Sequence, residues 1–130
     1  MAAYISFQPS DFYNTKIYTG TGSSNAVTGV GFQPDFLWIK ERDGVFNQIE
    51  CDAVRGAPTY NKVNTNAAEV TDATHVASFD SDGFTVGTDN NTNSNTNLYV
   101  AWNWKAGTTT GIAGSPSITP TGYSFNATSG

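Results

Sequence analysis

Cysteine and histidine are almost absent from this sequence, which has one of each among its 130 residues. Because Cys51 has no second cysteine to pair with, no disulfide can form within the chain. One cysteine and one histidine also fall short of the usual zinc site, and any histidine-dependent triad would have to use His75. His75 lies in a polar stretch and is expected to be a solvated surface residue. Cys51 follows an alternating pattern and is expected to be a small buried hydrophobe.

Charge is also scarce. Charged residues make up 13% of the chain, and the formal net charge is −5. The few basic residues are scattered, whereas nucleic-acid binding needs a basic patch to neutralise phosphates, so no nucleic-acid partner is expected. The sequence has no apolar run of transmembrane length and begins without the regions of a secretory signal peptide. We therefore expect no membrane insertion.

Helical periodicity is the third feature that the sequence lacks. Short alternating stretches bounded by Gly, Asn, Asp and Pro are common instead, and they predict strands at residues 16–19, 26–32, 36–40, 45–54, 76–79, 83–87 and 98–105. The continuous apolar run at 36–40 is expected to be buried on both faces. Residues 56–75 are expected to form a long polar loop, and residues 89–97 a solvated loop. The prediction is an all-β fold, an antiparallel β-sandwich of jelly-roll type.

Composition divides the chain into two parts. Residues 1–107 are predicted to form the β-sandwich domain. Residues 108–130 are rich in Gly, Ser and Thr and are predicted to form an extended tail with one strand around residues 123–125.

The tryptophans are the main candidates for a binding surface. Leu98, Val100, Trp102 and Trp104 alternate along one predicted strand and therefore share a face. One interpretation is a ladder in the core, because each tryptophan removes a large apolar area from water. The alternative is a partly exposed platform that stacks on sugar rings, formed by Trp102, Trp104 and Tyr99.

Two groups of acidic residues could carry chemistry. Asp80 and Asp82 open a stretch that resembles the start of a calcium loop, but it lacks the glutamate that completes such a loop in an EF-hand. A tight turn with Gly83 at positive φ is the preferred interpretation. A glycosidase needs two carboxylates, and the second group could supply them: Glu41, Asp43, Glu50 and Asp52. Their positions at a predicted hairpin turn and on one strand face favour exposed charge instead. We predict no catalytic residue, metal or cofactor.

Four stretches carry a resemblance to a known family. They run from Gly31 to Lys40, from Asp52 to Gly56, from Ser78 to Gly87 and from Tyr99 to Gly107. In order and spacing they resemble a domain that recurs in structural proteins of marine bacteriophages, including cyanophages, and the resemblance spans residues 7–130. In related proteins a lectin-like, concanavalin-type β-sandwich often follows. The family has no established catalytic residues, so the resemblance assigns none.

The resemblance implies a protein on the exterior of a virion, assembled in the host cytoplasm. The first expectation is a capsid decoration protein; the alternative is a tail-fibre or receptor-binding appendage module with carbohydrate-binding capacity. The implied partners are the major capsid protein or tail proteins, further copies of the chain, and a host-surface glycan. The tail is expected to contact neighbouring chains by pairing with a sheet edge, through Ser117, Ile118, Tyr123 and Phe125.

Overall fold

The structure, a computed structural model, describes residues 8–106, and these contain nine strands and one turn of α-helix. The strands are β1 (Tyr13–Thr19), β2 (Asn25–Thr28), β3 (Phe36–Glu41), β4 (Ile49–Asp52), β5 (Thr59–Lys62), β6 (Val70–Thr71), β7 (Val76–Asp80), β8 (Gly83–Val86) and β9 (Leu98–Trp104). The helical turn α1 (Asn90–Asn93) precedes β9, and a 3₁₀ turn (Pro9–Asp11) precedes β1. No helix in this part of the chain is long and apolar enough to cross a membrane.

The strands form two antiparallel sheets. The larger has the order β1-β9-β3-β4-β5-β6, and the smaller has the order β2-β8-β7. Side chains from both sheets meet in one hydrophobic core, with Val27 and Phe84 from the smaller sheet and Leu37, Ile39 and Tyr99 from the larger. The predicted all-β sandwich is confirmed.

The central strands alternate strictly between buried and half-buried side chains. In β3, Leu37 and Ile39 are fully buried, whereas Phe36, Trp38 and Lys40 are only half-buried. The prediction that residues 36–40 are buried on both faces is therefore wrong. The smaller sheet packs against one face of β3 only, so the outward side chains keep part of their exposure.

The structure contradicts the loop predicted at 56–75 and the first part of the strand predicted at 45–54. Residues 56–75 contain β5 and β6, which extend the larger sheet beyond β4. These strands carry few apolar side chains, so their alternation gave no signal. The strand predicted at 45–54 begins only at Ile49, because the residues before it form a loop. The Glu41 carboxylate holds this loop by accepting a hydrogen bond from the Phe46 N–H at 3.1 Å.

The predictions for the C-terminal tail lie outside the described residues. They comprise the tail at 108–130, its strand at 123–125 and the interchain contacts at Ser117, Ile118, Tyr123 and Phe125.

Candidate functional site

One face of the six-stranded sheet points away from the smaller sheet and carries all three tryptophans of the chain. We call this surface the outer face. Strand register and the burial alternation assign to it Tyr13, Thr15, Ile17, Phe36, Trp38, Lys40, Glu50, Asp52, Leu98, Val100, Trp102 and Trp104. The outer face is thus an apolar surface with a row of carboxylates along β4.

The aromatic side chains of the outer face form two cross-strand rows. In the first row Trp104 lies between Tyr13 and Phe36, and each pair of ring centroids is 5.1 Å apart. In the second row the centroids of Trp38 and Trp102 are 5.6 Å apart. The ring planes in these pairs meet at 49° to 68°. Such tilted contacts stabilise each pair by about 0.5–1.5 kcal/mol beyond burial, and they leave the rings without a common plane.

The interpretation of Trp102 and Trp104 as a core ladder is wrong. Both are half-buried, and the core side of β9 instead carries Tyr99, Ala101 and Asn103, all fully buried. The period of two separates these two sets correctly but does not say which faces the core. The tryptophans favoured the wrong choice because they are the larger apolar side chains.

Tyr99 cannot belong to a sugar-binding platform with the two tryptophans of β9. It lies on the opposite face of the strand and has no exposed surface. Its hydroxyl donates to the Asn90 carbonyl at 2.7 Å and accepts from the Ser94 N–H at 2.9 Å. Tyr99 therefore anchors the segment before β9 to the core.

Arg55 binds the acidic residues that border the outer face. Its guanidinium contacts Glu50 at 2.8 Å, Asp52 at 2.6 Å and Glu69 at 2.8 Å. Burial alone would lower the pKa of Arg55, but its carboxylate partners outweigh that effect and raise the pKa. Glu50 and Asp52 share one strand face, as expected, and both are bound to this cation.

The other two carboxylates considered as glycosidase candidates also have structural partners. Glu41 is buried, and its carboxylate accepts from the Asn97 side-chain amide at 2.5 Å as well as from Phe46. Asp43 accepts from the Leu98 N–H at 3.0 Å. Both residues thus fasten the loop after β3 to the start of β9, and nothing in their contacts favours a catalytic pair.

The calcium candidates point to different partners. Asp82 accepts from the N–H groups of Gly29 and Gly31 at 2.9 and 2.7 Å, and these bonds lower its pKa. Asp80 accepts from the hydroxyls of Ser78 and Thr85. Between residues 8 and 106, no group of three or more His, Cys, Asp or Glu side chains is placed to hold a metal ion. The stretch forms the predicted tight turn, with Gly83 at a φ of +151°.

The prediction that His75 is solvated is wrong. Its side chain is buried, and the ring stacks on Tyr60 at a centroid distance of 4.0 Å. The Nε2 atom lies 3.1 Å from an Asp89 carboxylate oxygen, while Nδ1 has no hydrogen-bond partner in the described part of the chain. Burial lowers the pKa of His75, and the nearby carboxylate only partly opposes this. Sequence reasoning missed this site because Tyr60 lies on the unpredicted strand β5.

Cys51 is a buried free cysteine, as predicted. Burial raises the pKa of its thiol far above the usual range, so the thiolate that reactive cysteines need is not formed near neutral pH.

The segment predicted as a solvated loop at 89–97 is solvated only in part: Asn90, Asn95 and Thr96 are exposed, but its middle is a buried polar junction. Asp89 begins α1 by accepting a hydrogen bond from the Asn91 N–H, and Thr92 and Asn93 are fully buried. The Asn93 amide donates to the carbonyls of Ser23 and Gly87 at 2.5 and 2.6 Å, and its oxygen accepts from Thr21 N–H at 2.9 Å. One side chain therefore joins three parts of the chain.

His75 makes folding stability depend on pH near neutrality. Because its pKa is lower in the folded state than its ordinary value of about 6.5, the unfolded chain binds the proton more readily. Stability is therefore complete above about pH 6.5 and falls as the pH drops below it. Urea unfolding between about pH 7.5 and pH 5.5 should show this decline.

Since His75 is the only histidine, the variant His75→Gln should have a nearly flat profile over the same range. Asp72 and Asp82, whose pKa values are also lowered, lose their contribution only in more acidic solution, as the pH falls below their ordinary range near 3.9. A wild-type protein that gains stability on acidification to pH 5.5 would contradict the assignment.

Comparison with known proteins gives one positive result. The sequence model of a family described as a domain of unknown function (DUF7483) matches residues 8–130. No curated protein and no solved structure matched the chain.

Proposed function

We propose that this chain, which belongs to the DUF7483 family, is a structural protein on the outside of a bacteriophage particle. More specifically, we propose that it is a capsid decoration protein, which binds the major capsid protein and covers part of the shell. The location on the outside of the particle is proposed because four stretches of the sequence resemble structural proteins of marine phages.

The observation that carries the proposal is that the acidic side chains serve as hydrogen-bond acceptors within the fold. Most of them accept hydrogen bonds from backbone N–H groups, which holds for Asp11, Glu41, Asp43, Asp52, Asp72, Asp82 and Asp89. Carboxylates are the commonest source of acid–base chemistry in a chain with so little histidine and cysteine. Here the carboxylates hold loops in place, which is the role expected in a structural protein rather than in an enzyme.

Firmly held loops suit a long-lived particle surface. Loops are where local unfolding and proteolysis usually begin, and this chain cannot restrain them with an internal disulfide. Hydrogen bonds from backbone N–H groups to a carboxylate are charge-assisted and stronger than neutral ones. Where such bonds are buried, as at Glu41, salt screens them less than it screens exposed ion pairs.

The resembling stretches also support a framework role. The stretch from Gly31 to Lys40 contains most of β3, the stretch from Ser78 to Gly87 forms the β7–β8 hairpin, and the stretch from Tyr99 to Gly107 contains most of β9. The similarity thus concentrates in strands that build the sandwich, as expected if relatives share a scaffold rather than a reactive cleft.

A second candidate function is a tail-fibre or receptor-binding appendage module with carbohydrate-binding capacity. The half-buried state of Trp38 and Trp102 favours it, because partly exposed indoles stack on sugars. The tilt of 59° between the two rings disfavours it, since a flat sugar face needs a flat partner. We therefore place it second.

The two candidates differ in copy number per particle. Quantitative mass spectrometry of purified particles of the virus that encodes this chain, with the major capsid protein as internal standard, measures that number. Decoration predicts a copy number comparable with that of the capsid protein, and immunogold labelling over the head. A far smaller number, with label on the tail, would support the appendage. Particles that lack the chain would overturn both.

A further inference from the structure

We propose that the edge strand β1 pairs antiparallel with β1 of a second copy of this chain, so that the larger sheets of the two copies join into one continuous sheet. The inference goes beyond the proposed function and does not depend on it. The interaction surface is the open edge of β1, and the partner that it fits is an identical molecule related by a two-fold axis.

The backbone of β1 has one side paired and one side open. In the part of the chain that the structure describes, β1 pairs with β9 and with no other strand. Two bonds of 2.8 Å continue this register, one from the Lys105 N–H to the Phe12 carbonyl and one from the Gly20 N–H to the Asn97 carbonyl. Backbone polar groups alternate between the two sides of a strand. The even-numbered residues of β1 therefore turn theirs toward β9, and the odd-numbered ones turn theirs outward.

The outward backbone groups are accessible. Tyr13, Thr15, Ile17 and Thr19 are all exposed. Among the described residues, the only partner of these backbone groups on the open side is the Asn25 side-chain amide, which donates to the Thr19 carbonyl at 3.3 Å. A row of unpaired N–H and C=O groups is a template for another strand.

The other three edges of the two sheets carry features that oppose such pairing. β6 has only two residues, β2 has four, and β7 is interrupted by a bulge between Val76 and Ser78. Short edge strands and bulges are devices by which natural sheets avoid edge pairing. β1 is instead seven residues long, keeps an unbroken register with β9 and contains no proline. It is thus the best formed open edge in the described part of the chain.

A two-fold axis at Thr15 gives the register that uses this edge best. Thr15 then faces Thr15 of the second copy, and Tyr13 faces Ile17. These three residues are the ones whose outward backbone groups have no other partner among the described residues, whereas an axis at Ile17 would use the occupied Thr19 carbonyl. An axis at Lys16 would set two ammonium groups opposite each other, which destabilises a sheet. With the axis at Thr15, each Lys16 faces Asn14.

The same register covers exposed apolar side chains. Ile17 is 63% exposed and Tyr13 40% exposed, and the two-fold axis brings them together twice. Pairs of an aromatic and a β-branched residue on neighbouring strands stabilise a sheet. Both lie on the outer face, so the outer faces of the two copies become continuous.

A second copy fits this edge better than a flexible peptide does. It brings a strand of equal length that is already extended, so it loses little backbone freedom on binding. The assembly also closes after two copies, because pairing occupies β1 of both molecules and the opposite end of the larger sheet is the two-residue strand β6.

Sedimentation equilibrium of the full chain between about 1 μM and 1 mM tests the pairing. The mean mass should rise with concentration from the 13.8 kDa of one chain toward twice that value and no further. The mass of one chain throughout, or growth beyond two copies, would overturn the proposal.

Thr15→Pro tests the backbone bonds themselves. It removes an N–H that points away from β9, so the pairing with β9 keeps its bonds, and circular dichroism checks the fold. Each dimer loses two backbone hydrogen bonds, so the dissociation constant should rise at least about tenfold. The matched control Thr15→Val keeps the N–H and should change the dissociation constant by no more than about twofold.

Thr15→Cys tests the register and does not depend on the proline variant. Residues that face each other in a hydrogen-bonded antiparallel pair have Cα atoms about 5.5 Å apart, within the range of a disulfide. Mild oxidation should therefore link two copies much faster than in the control Val45→Cys, which places the thiol on a loop at a residue that is 98% exposed. Cys51 is buried and takes no part. Equal rates for the two variants would contradict the register and the proposal with it.

Leu98→Lys distinguishes edge pairing from stacking of two outer faces. Leu98 is an exposed apolar residue of the outer face, but it lies on β9, which has a strand on each side. The dimer should survive this change. A dimer that is lost in Leu98→Lys and retained in Thr15→Pro would show that the faces stack, and the proposal would be wrong.

Discussion

Replacing Asn93 with alanine is expected to lower the free energy of unfolding by about 2–4 kcal/mol, because a fully buried side chain loses three hydrogen bonds and leaves a small cavity. The carbonyls of Ser23 and Gly87 and the N–H of Thr21 all bind this one side chain. Asn93 itself is fully buried, so water does not readily take its place. Against a typical total stability of about 5–15 kcal/mol, this loss is large.

The variant Asn93→Asp sharpens the test because it keeps the shape of the side chain. It replaces the amide that donates to two carbonyls with an acceptor, so it should destabilise at least as much as alanine. Asn90→Ala is the matched control: Asn90 is exposed, lies in the same helical turn and should change stability by less than about 0.5 kcal/mol. Urea unfolding followed by circular dichroism measures all three. Equal stability of the Asn90 and Asn93 alanine variants would refute the role of Asn93.

Replacing Gly83 with alanine is the second change with a large expected effect. Gly83 starts β8, the middle strand of the smaller sheet, at a φ of +151°. A Cβ atom there would overlap the carbonyl oxygen of Val27 on β2. Backbone strain and overpacking each cost about 1–3 kcal/mol, and the two add here because the overlapping atom belongs to a paired strand and cannot rotate away.

Gly31→Ala separates the two causes. Gly31 also has a positive φ, +91°, but a Cβ atom there would meet nothing within 4 Å. It should therefore show the strain alone, and a thermal unfolding midpoint clearly above that of Gly83→Ala. If the two alanine variants melt together, the close approach of β8 to β2 is not what requires glycine at position 83.

These predictions concern polar and glycine positions because those positions hold the loops and bring the sheets together. The apolar core is conventional, with Phe84, Tyr99 and aliphatic side chains from both sheets. What distinguishes this chain is that Asn93, Glu41 and Asp82 connect segments far apart in sequence. Asn93 reaches Thr21 across 72 positions, and Asp82 reaches Gly29 across 53.

The sequence by itself determined the features that depend on neighbours along the chain. Period-two alternation in β3 and β9 set which side chains share a face, and Asp80 to Gly83 specified a tight turn, because strand and turn geometry involve only a few consecutive residues. Scarcity of helical spacing likewise determined the all-β class.

Only the tertiary structure decided what each face meets. It turned Tyr99 inward and Trp102 outward, buried His75 beneath Tyr60, and made Asn93 part of the interior rather than of a solvated loop. Burial depends on which distant segments pack together, and a polar side chain is stable inside when those segments supply its hydrogen-bond partners. Such pairings join residues tens of positions apart, and no local pattern in this sequence encodes them.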